Sequence, residues 1–281
     1  MSIIDSGKSL NRRKVEFVIR KLNWIILLLI FTISFTSFAV AKDLTLTIVY
    51  DNNPCNKELE TRWGFSCLVE GLEKTILFDV GGEGSVLLRN MKRLGIDPKA
   101  IDVVVLSHIH YDHIGGLSAF LEENPDVVVY MPDSFPQSIK SEAKMAGARL
   151  IEVRSFTEIC KDACSTGELG DWIKEQSLVI RTAKGLVVIT DCAHPGVVNV
   201  IEKAKEMFND SVYLVLGGFH LCRMTARQIK EIIKGVKKEK VEKVAPCHCS
   251  GDLTRKLFEK AYGKNFILSG AGKRIRIKEA F

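Results

Sequence analysis

The stretch Ser107 to Leu117 reads SHIHYDHIGGL and sets three imidazoles and a carboxylate within six residues. It directly follows Ile101 to Leu106, a run with the character of a buried strand. Histidine and aspartate are costly to bury without partners, so packing does not account for the cluster, whereas metal binding does. In an extended loop side chains two apart point the same way, which lets His108 and His110 converge on one ion. Asp112 and His113 are adjacent, face differently from the first pair, and are placed to hold a second ion. Gly115 and Gly116 permit the tight turn into the next helix.

The chain has six histidines, and the other three, His194, His220 and His248, each stand just after a strand-like run. Ligands gather at the carboxyl ends of strands in α/β folds. The string His-x-His-x-Asp-His resembles the signature of the metallo-β-lactamase superfamily. Asp79 in ILFDVGG matches that superfamily's aspartate after an early strand. DNNP (Asp51 to Pro54), WGFSCLVE (Trp63 to Glu70), CAHPG (Cys192 to Gly196), GGFH (Gly217 to His220) and PCHCSG (Pro246 to Gly251) resemble one subfamily, the dihydropterin-6-yl-methyl-4-(ribofuranosyl)aminobenzene 5'-phosphate synthase-like proteins. The resemblance runs roughly from residue 44 to residue 280.

The resemblance implies a four-layer αββα sandwich and a binuclear hydrolytic site built around a bridging hydroxide. His194 is expected to join His108 and His110, and His248 to join Asp112 and His113. Asp112 and His220 are the catalytic candidates, His220 by donating a hydrogen bond or touching substrate. Many relatives carry an aspartate at the bridging position, where the subfamily typically reads Gly-Cys-Ala-His. This chain reads Asp191-Cys192-Ala193-His194, so either Asp191 or Cys192 serves there. Asn52, Asn53, Trp63, Phe65 and Ser66 are candidate pocket residues by resemblance alone.

Imidazole with carboxylate suits zinc, manganese or iron, and zinc is the expected pair of ions. The flavodiiron oxygen reductases of this fold carry glutamate where this chain has His110, which argues against a redox role. Two ions lower the pKa of water and polarise a carbonyl or phosphoryl oxygen, so the expected substrate is a small ester, lactone or phosphoester. A metal-bearing binding or sensor protein without turnover is the alternative.

The elements that must position these residues alternate as in an α/β chain. Strands are predicted at Leu44 to Tyr50, Phe65 to Glu70, Lys74 to Val80, Ile101 to Leu106, Val127 to Met131, Arg149 to Val153, Leu178 to Thr182, Leu186 to Thr190, Val212 to Leu216, Val241 to Pro246 and Ile275 to Lys278. Helices are predicted at Ser85 to Leu94, Leu117 to Glu123, Pro136 to Ala146, Val197 to Phe208, Thr225 to Lys234 and Asp252 to Tyr262. Ser155 to Gln176 is polar and patternless, either a cover for the site or a surface excursion. Two halves of similar order suggest two packed sheets with helices outside.

The chain has 281 residues and a net charge of +6. Residues 1–41 contain six Lys or Arg and two Asp or Glu, so residues 42–281 retain only +2 of that charge. The one dense basic run, Lys234 to Lys243, is interleaved with Glu239 and Glu242 and reads as a solvated helix face. It has no aromatic residues for stacking bases, so a nucleic-acid partner is not expected and a small-molecule substrate is. The first 41 residues run from a basic start (Arg12, Arg13, Lys14, Arg20, Lys21) through the uncharged Leu22 to Ala41. They end on Ala39-Val40-Ala41, the order of a secretory signal peptide. An uncleaved membrane anchor is the alternative, since about 20 uncharged residues can span a bilayer. Residues 42–281 then form one catalytic domain, periplasmic or extracellular.

Of the eight cysteines, Cys160 and Cys164 are expected to form a local bridge in an exported protein. Cys67 and Cys222 read as buried core thiols. Intact-mass measurement on native membrane and periplasmic fractions tests the export expectation: a mature chain should begin at Lys42, and a full-length membrane species would mark an anchor instead.

Overall fold

The computed structural model describes residues 43–278 and 280–281. The signal-peptide or anchor segment expected at 1–41 lies outside the described residues. The first half contains β1 (Leu44–Tyr50), β2 (Ser66–Glu70), β3 (Ile76–Phe78), α1 (Gly84–Leu94), β4 (Val103–Val105), α2 (Tyr111–Ile114), α3 (Leu117–Glu123), β5 (Val128–Pro132), α4 (Gln137–Met145) and β6 (Arg149–Val153). The second half contains β7 (Thr157–Cys160), β8 (Ala163–Ser165), β9 (Leu178–Thr182), β10 (Gly185–Ile189), α5 (Val197–Phe208), β11 (Val212–Gly218), α6 (Ala226–Lys238), β12 (Lys243–Cys247) and α7 (Asp252–Tyr262). The last strand, β13 (Arg274–Ile277), returns to pair with β1.

Two mixed sheets result, one in the order β13-β1-β2-β3-β4-β5-β6 and the other β12-β11-β10-β9-β8-β7. Strands β3 to β6 run parallel, as do β10 to β12, and these are the strands joined through helices. Parallel neighbours need such crossovers, and the crossovers cover the outer faces.

The alternation of side chains along each strand divides the apolar residues into three layers. Leu44, Leu46, Ile48, Phe78 and Val105 of the first sheet meet Ile180, Val187, Ile189 and Leu216 of the second in the central layer. Leu77, Val104 and Val129 face Leu87, Met91 and Phe120 of α1 and α3 on one outer side. Val188 and Val215 face Val200, Ile201, Ile229 and Ile233 of α5 and α6 on the other. The architecture is the expected αββα sandwich. Gly95 stops α1 in the left-handed conformation (φ 72°), donating its N–H to the Lys92 carbonyl, a stop that only glycine makes without strain.

Three expectations fail. Ser155 to Gln176 is not patternless, because it contains the β7–β8 hairpin at the sheet edge. Cys160 and Cys164 are both free. The hairpin pairs Cys160 with Ala163 and Glu158 with Cys164, which turns the first thiol into the central layer and the second into the outer layer under α5. Thiols on opposite faces of one sheet cannot meet the geometry of a disulfide. Cys222, expected in the core, is exposed, whereas Cys67 is fully buried as expected.

Unfolding the purified protein in denaturant without reductant, then alkylating and peptide-mapping it, should label both Cys160 and Cys164. Burial raises the Cys164 thiol to about 12, so in the native protein that thiol should label far more slowly.

Candidate metal centre

The chemistry-bearing residues sit in the turns after strands of both sheets. Asp51 follows β1, Asp79 follows β3, Ser107 and His108 follow β4, Asp191 to His194 follow β10, His220 follows β11 and His248 follows β12. Several turns hold a non-glycine residue in the left-handed region: Asp79 at φ 57°, Ala193 at 52°, His220 at 52° and His248 at 44°. Non-glycine residues adopt that region only sparsely, so these rim turns are unusual backbone positions.

One donor set comprises His108, His110 and His194, with one ligand atom from each within 4.8 Å of the others. His108 Nε2 lies 3.0 Å from His110 Nδ1, and the His194 ring centroid is 4.7 Å from that of His108 and 4.9 Å from that of His110. Burial, then repulsion from His113 and His194, holds His108 well below the ordinary histidine value. It is therefore neutral, the form that binds a cation.

The second set is His113, Asp191, Cys192 and His248, again within 4.8 Å, with Asp112 beside it. Asp112 Oδ2 is 3.1 Å from His113 Nε2 and 3.3 Å from His248 Nε2. Burial alone would raise the Asp112 carboxyl, but the His113 and His248 imidazoles hold it far below the usual carboxylate range. The two sets adjoin, for the His108 and His113 ring centroids are 4.2 Å apart.

Four of the histidines are aimed through the nitrogen that faces away from the centre. His108 Nδ1 pairs with Ser107 Oγ at 2.8 Å, His194 Nδ1 with Glu175 Oε2 at 2.9 Å, and His248 Nδ1 with Asn52 Oδ1 at 2.9 Å. His113 Nδ1 lies 3.3 Å from Asp79 Oδ2 and also contacts Asp191 Oδ2. Burial disfavours a charged His113, yet Asp191, Asp112 and Asp79 together raise it well above the ordinary histidine value. Fixing one imidazole nitrogen selects the tautomer and turns the other toward an ion.

The two candidates for the bridging position lie on opposite sides of the His113 ring. Asp191 lies on the Nδ1 side with Asp79, while Cys192 Sγ lies 3.5 Å from Nε2, on the side of Asp112. Among the described residues, His248 Nε2 and Asp191 Oδ1 are buried without a hydrogen-bond partner. Buried polar atoms rarely stay unsatisfied, and convergent, partnerless ligand atoms fit divalent cations.

The candidate pocket residues distribute differently. Asn52 orients His248, and its amide also approaches the His248 carbonyl at 3.4 Å. Asn53 bonds Asp51 and Arg255 rather than facing the centre. Phe65 and Ser66 are fully buried, Phe65 in the layer between the sheets, so neither lines an opening. Trp63, 54% exposed, stands over His248 with ring centroids 4.8 Å apart. His220 is exposed and stacks near His194 at 4.6 Å.

A cleft of about 500 Å³ opens beside His194, walled by Leu169, Trp172, Ile173, Pro195 and Asn199. The segment after the β7–β8 hairpin therefore borders the centre. The same segment supplies Glu175, which sequence reasoning missed. This buried carboxylate accepts from the Ala193 and His194 amides at 2.8 and 2.9 Å as well as from the His194 ring.

Sandwich and rim together define a metallo-β-lactamase-type protein, and the comparisons with known proteins agree. The profile of the Metallo-beta-lactamase superfamily matches residues 64–202, and the chain belongs to that superfamily. It is 29% identical over 279 residues to the 7,8-dihydropterin-6-methyl-4-(beta-D-ribofuranosyl)-aminobenzene-5'-phosphate synthase of Methanocaldococcus jannaschii, covering 82% of this chain and 95% of that protein. It is 28% identical to the solved structure of Tm1679, a metal-dependent hydrolase of the beta-lactamase superfamily, with a TM-score of 0.73 over 84% of this chain and 99% of that one. A diphosphatase of the PhnP family, 17% identical, shares the fold with a TM-score of 0.60 over 85% of this chain and 99% of that one.

Glu175→Ala should leave the fold intact and loosen the His108–His110–His194 set. Losing such a partner typically costs about 10 to 100-fold in metal affinity. Competition with a chromophoric chelator measures that loss, and Glu175→Gln, which keeps an acceptor, should recover part of it.

Proposed function

We propose that the chain is an exported metal-dependent hydrolase with a two-ion centre, related to the dihydropterin-synthase-like subfamily and acting on a small ester, lactone or phosphoester. The observation that carries this reading is the adjacency of two donor sets across the His108–His113 ring pair. Zinc is the ion proposed for both, with manganese and iron as alternatives for an imidazole and carboxylate set. Bound divalent ions would lower the pKa of water and polarise the scissile carbonyl or phosphoryl group.

The chain's own residues supply the rest. His108, His110 and His194 would hold one ion, and Asp112, His113 and His248 the other, with Asp191 and Cys192 as further donors of the same cluster. Asp112 doubles as the carboxylate that orients the attacking water. Glu175, Asn52 and Ser107 keep the imidazoles aimed, so little reorganisation accompanies the reaction. The cleft of Leu169, Trp172, Ile173 and Pro195 offers an apolar wall to an organic substrate group. An exported location would set the substrate apart from the dihydropterin compound named for the M. jannaschii relative.

A panel of generic phosphoesters, lactones and thioesters, assayed before chelation, after it and after metal return, tests the activity. Turnover should vanish and come back, whereas a fully loaded protein inert across the panel would indicate a binding protein. His248→Ala should empty the Asp112–His113 set and leave the His108 set filled, and His194→Ala should do the reverse. Elemental analysis should then show one ion fewer in each variant than in the parent. A His248→Ala variant that retains the parent's content would overturn the assignment.

A further inference from the structure

Cys249 and His220, which cluster with Cys192 at the rim, are left without a role in the two-ion centre. Cys192 Sγ, Cys249 Sγ and a ring nitrogen of His220 lie within 4.8 Å of one another, at the ends of β10, β12 and β11. Both thiols are buried, and the imidazole covers them from the solvent side.

The backbone around them is shaped for sulfur. A Cβ on Gly218 would stand 2.6 Å from Cys249 Sγ and 2.3 Å from the Asp191 carbonyl oxygen, so the second glycine of GGFH leaves room for that thiol. The His220 amide donates to Cys249 Sγ at 3.2 Å, and a hydrogen bond to the charged form of an acid favours that form. His220 itself is held in the left-handed region, the turn that brings its ring back over the two sulfurs.

We propose that Cys192, Cys249 and His220 form a third cation site, selective for a thiophilic divalent ion, which shares Cys192 with the neighbouring Asp112–His113–His248 set. The proposal rests on the two-ion reading only through that shared thiol. Two thiolates and one imidazole are a ligand set that binds zinc with a fourth position left open, and soft thiolate donors select against magnesium, calcium and manganese. Bond lengths of about 2.0 to 2.3 Å place tetrahedral ligand atoms roughly 3.5 Å apart, within reach of this cluster by small side-chain rotations. His220 then acts as a ligand rather than as the catalytic contact expected from the sequence.

The test is a cadmium titration of the full chain, made metal-free under reducing conditions. Elemental analysis and the thiolate-to-cadmium absorption follow the binding. The parent should take up about three ions per chain, with strong thiolate absorption, and Cys249→Ser about two with roughly half that absorption. His220→Ala should weaken one equivalent by at least about tenfold, and because it alters an exposed side chain it serves if Cys249→Ser fails to fold. A parent that saturates at two ions, or a disulfide joining Cys192 to Cys249 in the protein as purified, would overturn the third site. If His194→Ala binds as many ions as the parent while Cys249→Ser binds fewer, the two-ion reading fails and the third site stands.

Discussion

Two buried carboxylates, one from each sheet, close on a single imidazole. Asp79, at the end of β3, and Asp191, at the end of β10, both reach His113 Nδ1, and Asp79 also accepts the Ser107 amide and hydroxyl, each at 2.6 Å. Burying charge is costly unless it is paired and hydrogen-bonded. The rims of the two sheets therefore have to meet at this point and in this register. That meeting turns His113 Nε2 toward Asp112 and Cys192, fixes the exit of β4, and so sets where His108 and His110 can go.

A second join does the same on the opposite flank. Asp51, after β1, accepts the His248 amide at 3.0 Å and both Asn53 nitrogens at 2.6 Å, while Asn52 takes the His248 ring. The sequence neighbours Asp51 and Asn52 thus hold the backbone and the side chain of one histidine from the other sheet. Glu175 repeats the device at His194 with one carboxylate. His194 and His248, both brought in by the second sheet, are thus anchored through the main chain as well as the ring, which limits how far each can drift from a productive geometry.

The legibility of the chain followed the range of its signals. The donor sets were readable because histidine is rare here and every one lies in a motif after a strand. The fold was readable from strand alternation and helical caps, and most element bounds fell within a residue or two. Glu175 was not readable, since a lone glutamate in a polar segment has no local signature. Its role arises only when the chain passes the end of β4, where the Gln176 amide bonds the Ser107 carbonyl at 3.0 Å. The β7–β8 hairpin was missed because strands of four and three residues carry too little alternation to count. Resemblance gives proximity in sequence to a motif, not the face of the strand on which a side chain emerges, and Phe65 packs between the sheets.

The left-handed turns at Asp79, Ala193, His220 and His248 have a consequence for how such a protein changes over generations. Non-glycine residues in sparsely populated backbone regions cost on the order of 1 to 3 kcal/mol each, and glycine would relieve much of it. At three of the four positions, glycine would also delete a polar group of the rim. Selection for thermal stability alone would therefore wear the centre away, and only selection for what the centre does can keep aspartate and histidine there.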